Sequence, residues 1–131
     1  MRTLSDRERR DWLRLTRTQN VGPVTFATLI ARFGSASAAL DAVPKLARRG
    51  GRPDLHLPSV SGAEQEMEAL MNLGGRFIAS CEPDFPPGLA ALNPPPPILA
   101  VLGKPALLSR EMVAIVGARN ASALGRKFAA T

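Results

Sequence analysis

Val113-Ala114-Ile115-Val116-Gly117-Ala118-Arg119-Asn120-Ala121-Ser122-Ala123-Leu124-Gly125 is the stretch whose reading sets the fold of everything before it. It opens on an unbroken apolar run, Val113 to Val116, which predicts a short strand buried on both faces, as in a parallel sheet covered by helices. Gly117 ends the strand, because a residue without Cβ permits a sharp turn, with positive φ if needed, and close approach of whatever lies against it. Ser122, or Asn120 before it, can cap a helix running through Leu124 and Phe128, so the segment reads as strand, tight turn, helix. The unbonded N–H groups of the first helical turn, the positive end of the helix dipole and the forked guanidinium of Arg119 then make an anion site. A phosphate is the expected guest.

This turn is neither of the two best-known phosphate loops. Arg119 stands where a dinucleotide fingerprint needs its second glycine, and the Gly-Lys-Ser/Thr ending of a Walker A loop is missing. The other reading of the same pattern is an ordinary α/β connection without a ligand.

Composition narrows the partners. With 131 residues, 45% of them hydrophobic, the chain can build an ordinary soluble core. Its net charge of +6 and pI near 11.0, carried more by Arg than by Lys, favour a polyanion. The single Cys81 excludes an internal disulfide and a Cys metal cluster, and reads as a reduced thiol at a strand end. His56 stands alone in a loop, with no second ligand spaced for a metal and no argument for a catalytic base. No nucleophile–base pair and no carboxylate pair near Gly117 is visible, so neither catalysis, a cofactor nor a metal is expected. The N-terminus lacks the apolar core of a signal peptide and no run approaches the ~18 residues of a membrane span. No membrane partner is expected, and the expected location is the cytoplasm.

Upstream, helical signals come first. Ser5-x-x-Glu8 is a capping box opening a helix from about Asp6 to Thr18, with Trp12, Leu13 and Leu15 on its apolar stripe. Trp12 reads as a core anchor, with base stacking as the alternative. Gln19 to Gly22 break the helix, Pro23 starts the next, and Phe33-Gly34 ends it. Ser35 caps a third helix, expected from Ala36 to Ala42 and closed by Val43-Pro44. Arg48-Arg49-Gly50-Gly51-Arg52-Pro53 reads as an exposed basic loop. Ser61-x-x-Glu64 is read as a second capping box, opening a helix with Met67, Leu70 and Met71 inward until Gly74-Gly75. Beyond it the period changes: Arg76 to Ala79 is strand-like, Pro83 to Pro87 force a turn, Gly88 to Leu92 make a helical turn or two, and Pro94 to Pro97 feed a strand from Ile98 to Leu102.

Gly117-Ala118-Arg119, then Ser122, then Gly125 resembles the Gly-Ser/Ala-Arg…Ser…Gly turn of the DNA processing protein A family (DprA/Smf). The resemblance extends through Pro83-Asp84-Phe85-Pro86-Pro87-Gly88-Leu89, Pro94 to Pro97 and Ile98 to Gly103. Phe85 and Leu124 depart from it, standing where many relatives carry Tyr. The run Val21-Gly22-Pro23-Val24-Thr25 through Ser35 is similar to half of a helix-hairpin-helix element, with Val24 and Thr25 where a basic residue often follows the Gly-Pro pair.

The resemblance implies an α+β/α/β chain. A small helical domain, SAM-like or helix-hairpin-helix-like, spans 1–74, and the first strands of a Rossmann-like DNA-binding domain span 75–131, incomplete at the C-terminal end. It implies a single-stranded DNA-binding protein that protects incoming DNA in natural transformation and loads the RecA recombinase, forming a homodimer, without enzymatic activity. The DNA-binding positions are then Gly117, Ala118, Arg119, Ser122 and Gly125, with Gly22, Arg126 and Lys127 secondary and the helical domain weak in DNA affinity by itself. Two other functions fit the same residues: a Rossmann-like enzyme or carrier holding a nucleoside phosphate, and a helical module for protein interaction or dimerisation.

Overall fold

Ser5 opens α1 (Asp6–Thr16): its hydroxyl accepts from the Glu8 N–H while the Glu8 carboxylate accepts from the Ser5 N–H. In the structure, a computed structural model describing Met1 to Thr131, α1 stops at Thr16 rather than Thr18, whose hydroxyl donates back to the Arg14 carbonyl. Trp12 does anchor the core. It is buried and meets Phe26 edge-on, with ring centroids 4.9 Å apart. Helix α2 (Pro23–Phe33) starts on its proline and stops at Gly34, which takes the left-handed conformation at φ 83°. The chain then turns by 106° into α3 (Ala36–Arg49), capped by Ser35.

Two helix boundaries differ from expectation. Helix α3 does not close at Ala42 but runs through Pro44 to Arg49. A proline in a helix interior costs roughly 3 kcal/mol. Here it is offset, since Val43 is buried, Leu46 packs on the main core and Arg48 and Arg49 complement the dipole in the last turn. Helix α4 (Val60–Asn72) is capped by Ser59, whose hydroxyl accepts from the Gly62 N–H at 2.9 Å, so Ser61-x-x-Glu64 lies inside the helix and is no capping box. The earlier start puts Ala63, Met67 and Leu70 on one stripe against Leu13. Met71 falls off that stripe and is 67% exposed, contrary to its expected inward place.

The sheet has two strands, β1 (Arg76–Ala79) and β2 (Ile98–Val101), paired antiparallel with Arg76 opposite Val101 and Ala79 opposite Ile98. Between them α5 (Pro87–Ala90) is a single turn, too short for the crossover that parallel pairing requires. Both faces of β1 are nonetheless covered. Phe77 meets Leu13 and Ala63, and Ala79 enters the main core of Leu4, Trp12, Leu15, Phe26, Leu29, Leu40 and Val43. Ile78 points the other way, into a cluster with Phe85 and Val101 flanked by Leu89, Leu99 and Leu108. Residues on both sides of Gly74 therefore share one core.

Glu82 locks that arrangement. Its buried carboxylate accepts from the N–H groups of Ala79 and Leu4 and takes a fork from Arg9 of α1, the shorter arm 2.6 Å long. Burial pushes its pKa up, but the Arg9 fork and the two backbone donors outweigh burial and hold it below the ordinary value.

The predicted strand Val113–Val116 is not a strand here. Val113, Ile115 and Val116 are 90%, 69% and 91% exposed and pair with nothing. A strand has no hydrogen bonds of its own; its pattern states a need for neighbours, and neither β1 nor β2 pairs with this segment. No single helix is long and apolar enough to cross a membrane.

Candidate nucleic-acid interface

Ser122 caps α6 (Ala123–Ala130), its hydroxyl accepting from the Gly125 N–H at 3.1 Å. Arg126 N–H bonds to the Ser122 carbonyl, which leaves the N–H groups of Ala123 and Leu124 without protein acceptors at the positive end of the helix. A Cβ on Gly125 would sit 3.3 Å from the capping hydroxyl, so glycine keeps the cap uncrowded. Arg119 lies in the turn just before, exposed, with no ion pair and no side-chain hydrogen bond. Gly117 and Ala118 are likewise exposed. Gly117 neither takes a positive φ nor has any neighbour within 4 Å of a built Cβ, so neither freedom expected of it is used in this conformation.

The secondary positions divide. Arg126 and Lys127 follow on α6, exposed and unpaired. Gly22 is the N-cap of α2, without a side-chain cap bond, and Val24 beside it is 66% exposed. No cation follows Gly22 within that turn, so only backbone N–H groups face solvent there.

Positive charge is unevenly committed. Arg2, Arg9, Arg10, Arg14, Arg17 and Arg76 are ion-paired, most of them between α1 and the α4 or Glu82 side. Arg32, Lys45, Arg48, Arg49 and Arg52, around the ends of α2 and α3, have no carboxylate partner, and neither do Lys104, Arg110, Arg119, Arg126 and Lys127. Sequence reasoning treated the arginines at 48, 49 and 52 as solvated; that Arg49 meets Arg32 and Lys45 around one cleft depends on the α2–α3 bend, which no local spacing encodes. Nor does any local signal join Glu82 to Arg9, far apart in the chain.

A small helical domain carrying a two-stranded sheet, with free basic ends, is the architecture of a compact DNA-handling module. Residues 6–69 match the model of the DprA-like N-terminal HHH domain, and residues 76–131 match that of DNA recombination-mediator protein A. The matches leave out only residues 1–5 and 70–75. The chain belongs to the DprA family, whose role is DNA processing as a recombination mediator, with DNA and the recombination machinery as partners. No curated protein matches it.

Proposed function

We propose that the protein binds single-stranded DNA through the turn from Gly117 to Gly125 and delivers it to the RecA recombinase, acting in the cytoplasm as a homodimer and without catalytic chemistry. The observation that carries this reading is the pairing of an uncommitted Arg119 with two unbonded helical N–H groups, at Ala123 and Leu124, behind a Ser122 cap. Such donors suit phosphate oxygens, which carry no base identity, so binding is sequence-tolerant. Residues 75–131 belong to a Rossmann-like domain in which Val113–Val116 pairs as a strand. The exposed apolar side chains of Val113, Ile115, Val116, Leu124 and Phe128 support that, since they form two faces that call for cover.

The test is a substitution series at Arg119. Arg119→Ala weakens single-strand binding by about 1–3 kcal/mol, the worth of a charge-assisted contact. Arg119→Lys keeps the charge, loses the fork and falls between. Thermal melting stays within a degree or two of the parent, since an exposed, unpaired side chain holds nothing together (~0.5 kcal/mol at most). Parent-like binding by Arg119→Ala, or a large drop in melting temperature, makes this arginine structural. Displacement of the oligonucleotide by one equivalent of a nucleoside triphosphate would instead favour the nucleotide-binding alternative.

A further inference from the structure

A cleft of about 340 Å³ opens between the C-terminal turn of α2 and the outer face of α3, lined by Arg32, Phe33, Asp41, Lys45, Leu46 and Arg49 among others. Its three cations have no ion-pair partner, and its one carboxylate, Asp41, is paired with none of them. Lys45 and Arg49 are a helical turn apart, so their stems leave one face of α3 roughly 5–6 Å from each other. Arg32 approaches from α2, with its guanidinium 5.1 Å from the centroid of the half-buried Phe33 ring. The dipoles of α2 and α3 account for a cation at each C-terminus, Arg32 and Arg49. They account neither for Lys45, which lies before the last turn of α3, nor for the stacking of Arg32 on an aromatic ring.

We propose that this cleft is an auxiliary contact for single-stranded DNA, in which Lys45 and Arg49 hold successive phosphates and a base stacks on the Arg32–Phe33 pair. The proposal rests on the single-strand reading of the protein and adds a second surface to it. An acidic peptide would satisfy the cations alone. The flat guanidinium on an aromatic ring is what a base adds to the match, because every base offers a π-face. The cleft is also distinct from the Gly22 turn, which lies at the other end of α2, about 16 Å away along an 11-residue helix. Weak affinity is expected of it by itself, since its contacts are few and solvent-exposed.

Fluorescence anisotropy with a labelled oligothymidylate, on the whole chain, tests it. The variant Arg32→Gln/Lys45→Gln/Arg49→Gln should bind about tenfold more weakly, and its salt slope should shrink by about 2, at roughly 0.7 per lost contact for three contacts. Adding Arg119→Ala should multiply the two losses, as separate sites do. Arg32→Lys, which keeps the charge and loses the plane, should weaken binding on its own. Circular dichroism checks that the triple variant keeps its helices; should it lose them, Lys45→Gln alone is read instead, with about twofold loss and one contact's worth of slope. Parent-like binding by the triple variant, with Arg119→Ala still impaired, overturns the cleft and leaves the turn standing. Loss in the triple variant with Arg119→Ala unimpaired supports the cleft and removes the turn. Polyglutamate of equal charge competing with the oligonucleotide as well as unlabelled oligothymidylate does overturns the nucleic-acid assignment, because the cleft then reads charge alone.

Discussion

Glu82 is the residue on which the joint between helices and sheet depends. Replacing it by Gln leaves the half-buried Arg9 without its forked partner, although Asp6 and the Leu4 carbonyl still hold part of that guanidinium. Glu82→Gln should therefore destabilise the protein by about 2 kcal/mol in thermal or urea melts, since breaking a buried pair from one side leaves a charge uncompensated. The pH dependence has a definite sign. A carboxylate whose folded pKa lies below its unfolded one contributes stability that is present above the unfolded value and lost as pH falls through the folded one. Glu82 is depressed in this way, against the rise that burial alone would give it. Glu8 is held at about 2 against an ordinary 4.5, by the Arg2 side chain first and then the Ser5 backbone and hydroxyl. Stability should accordingly fall as pH is lowered from 4.5 toward 2. Glu82→Gln should flatten that fall, and an unchanged slope in urea melts across the window would remove Glu82 from the account. None of this was legible in the sequence, where Glu82 is one more acid in a proline-rich loop and its partner lies in the first helix.

At the scale of elements, local chemistry was legible wherever it was sufficient. The Ser5 capping box, the Pro23 start, the Gly34 stop and the Ser122 cap each act within a turn of chain, and each stands where the residues put it. Errors arose where tertiary packing chose between equivalent local options. Ser59 and Ser61 can both cap, and the stripe of Ala63, Met67 and Leu70 against Leu13 decides for Ser59. Ser59→Ala should then cost about 1 kcal/mol and Ser61→Ala only a few tenths, measured by chemical denaturation. The reverse ranking would restore the capping box at Ser61. Pro44 was overridden in the same way, by the burial of Val43. Val113–Val116 shows the opposite limit: four residues can declare that they belong in a sheet without supplying any of its bonds.

On the scale of the whole molecule, β1 is the floor of the helical unit rather than the start of something apart. Phe77 and Ala79 fill space beneath α1, and Ile78 closes a second small core on the far side. A fragment ending at Gly74 should stay helical by circular dichroism but melt well below one ending at Arg110, which keeps both clusters; equal melting temperatures would show the sheet to be dispensable. Charge is arranged on the same scale, with α1 and α4 neutralising each other and the free cations gathered at the end of α3 and along the C-terminal segment. The excess of Arg was visible in the composition, whereas its distribution required the fold. That distribution bears directly on the proposed function, and the most direct measurement is the salt dependence of binding to matched single-stranded and double-stranded oligonucleotides of unrelated sequence. Preference for the single strand, indifference to sequence and a log–log slope equal to several contacts at roughly 0.7 each are expected. Equal affinity for duplex, or an affinity that does not change with salt, would contradict single-strand recognition through phosphate.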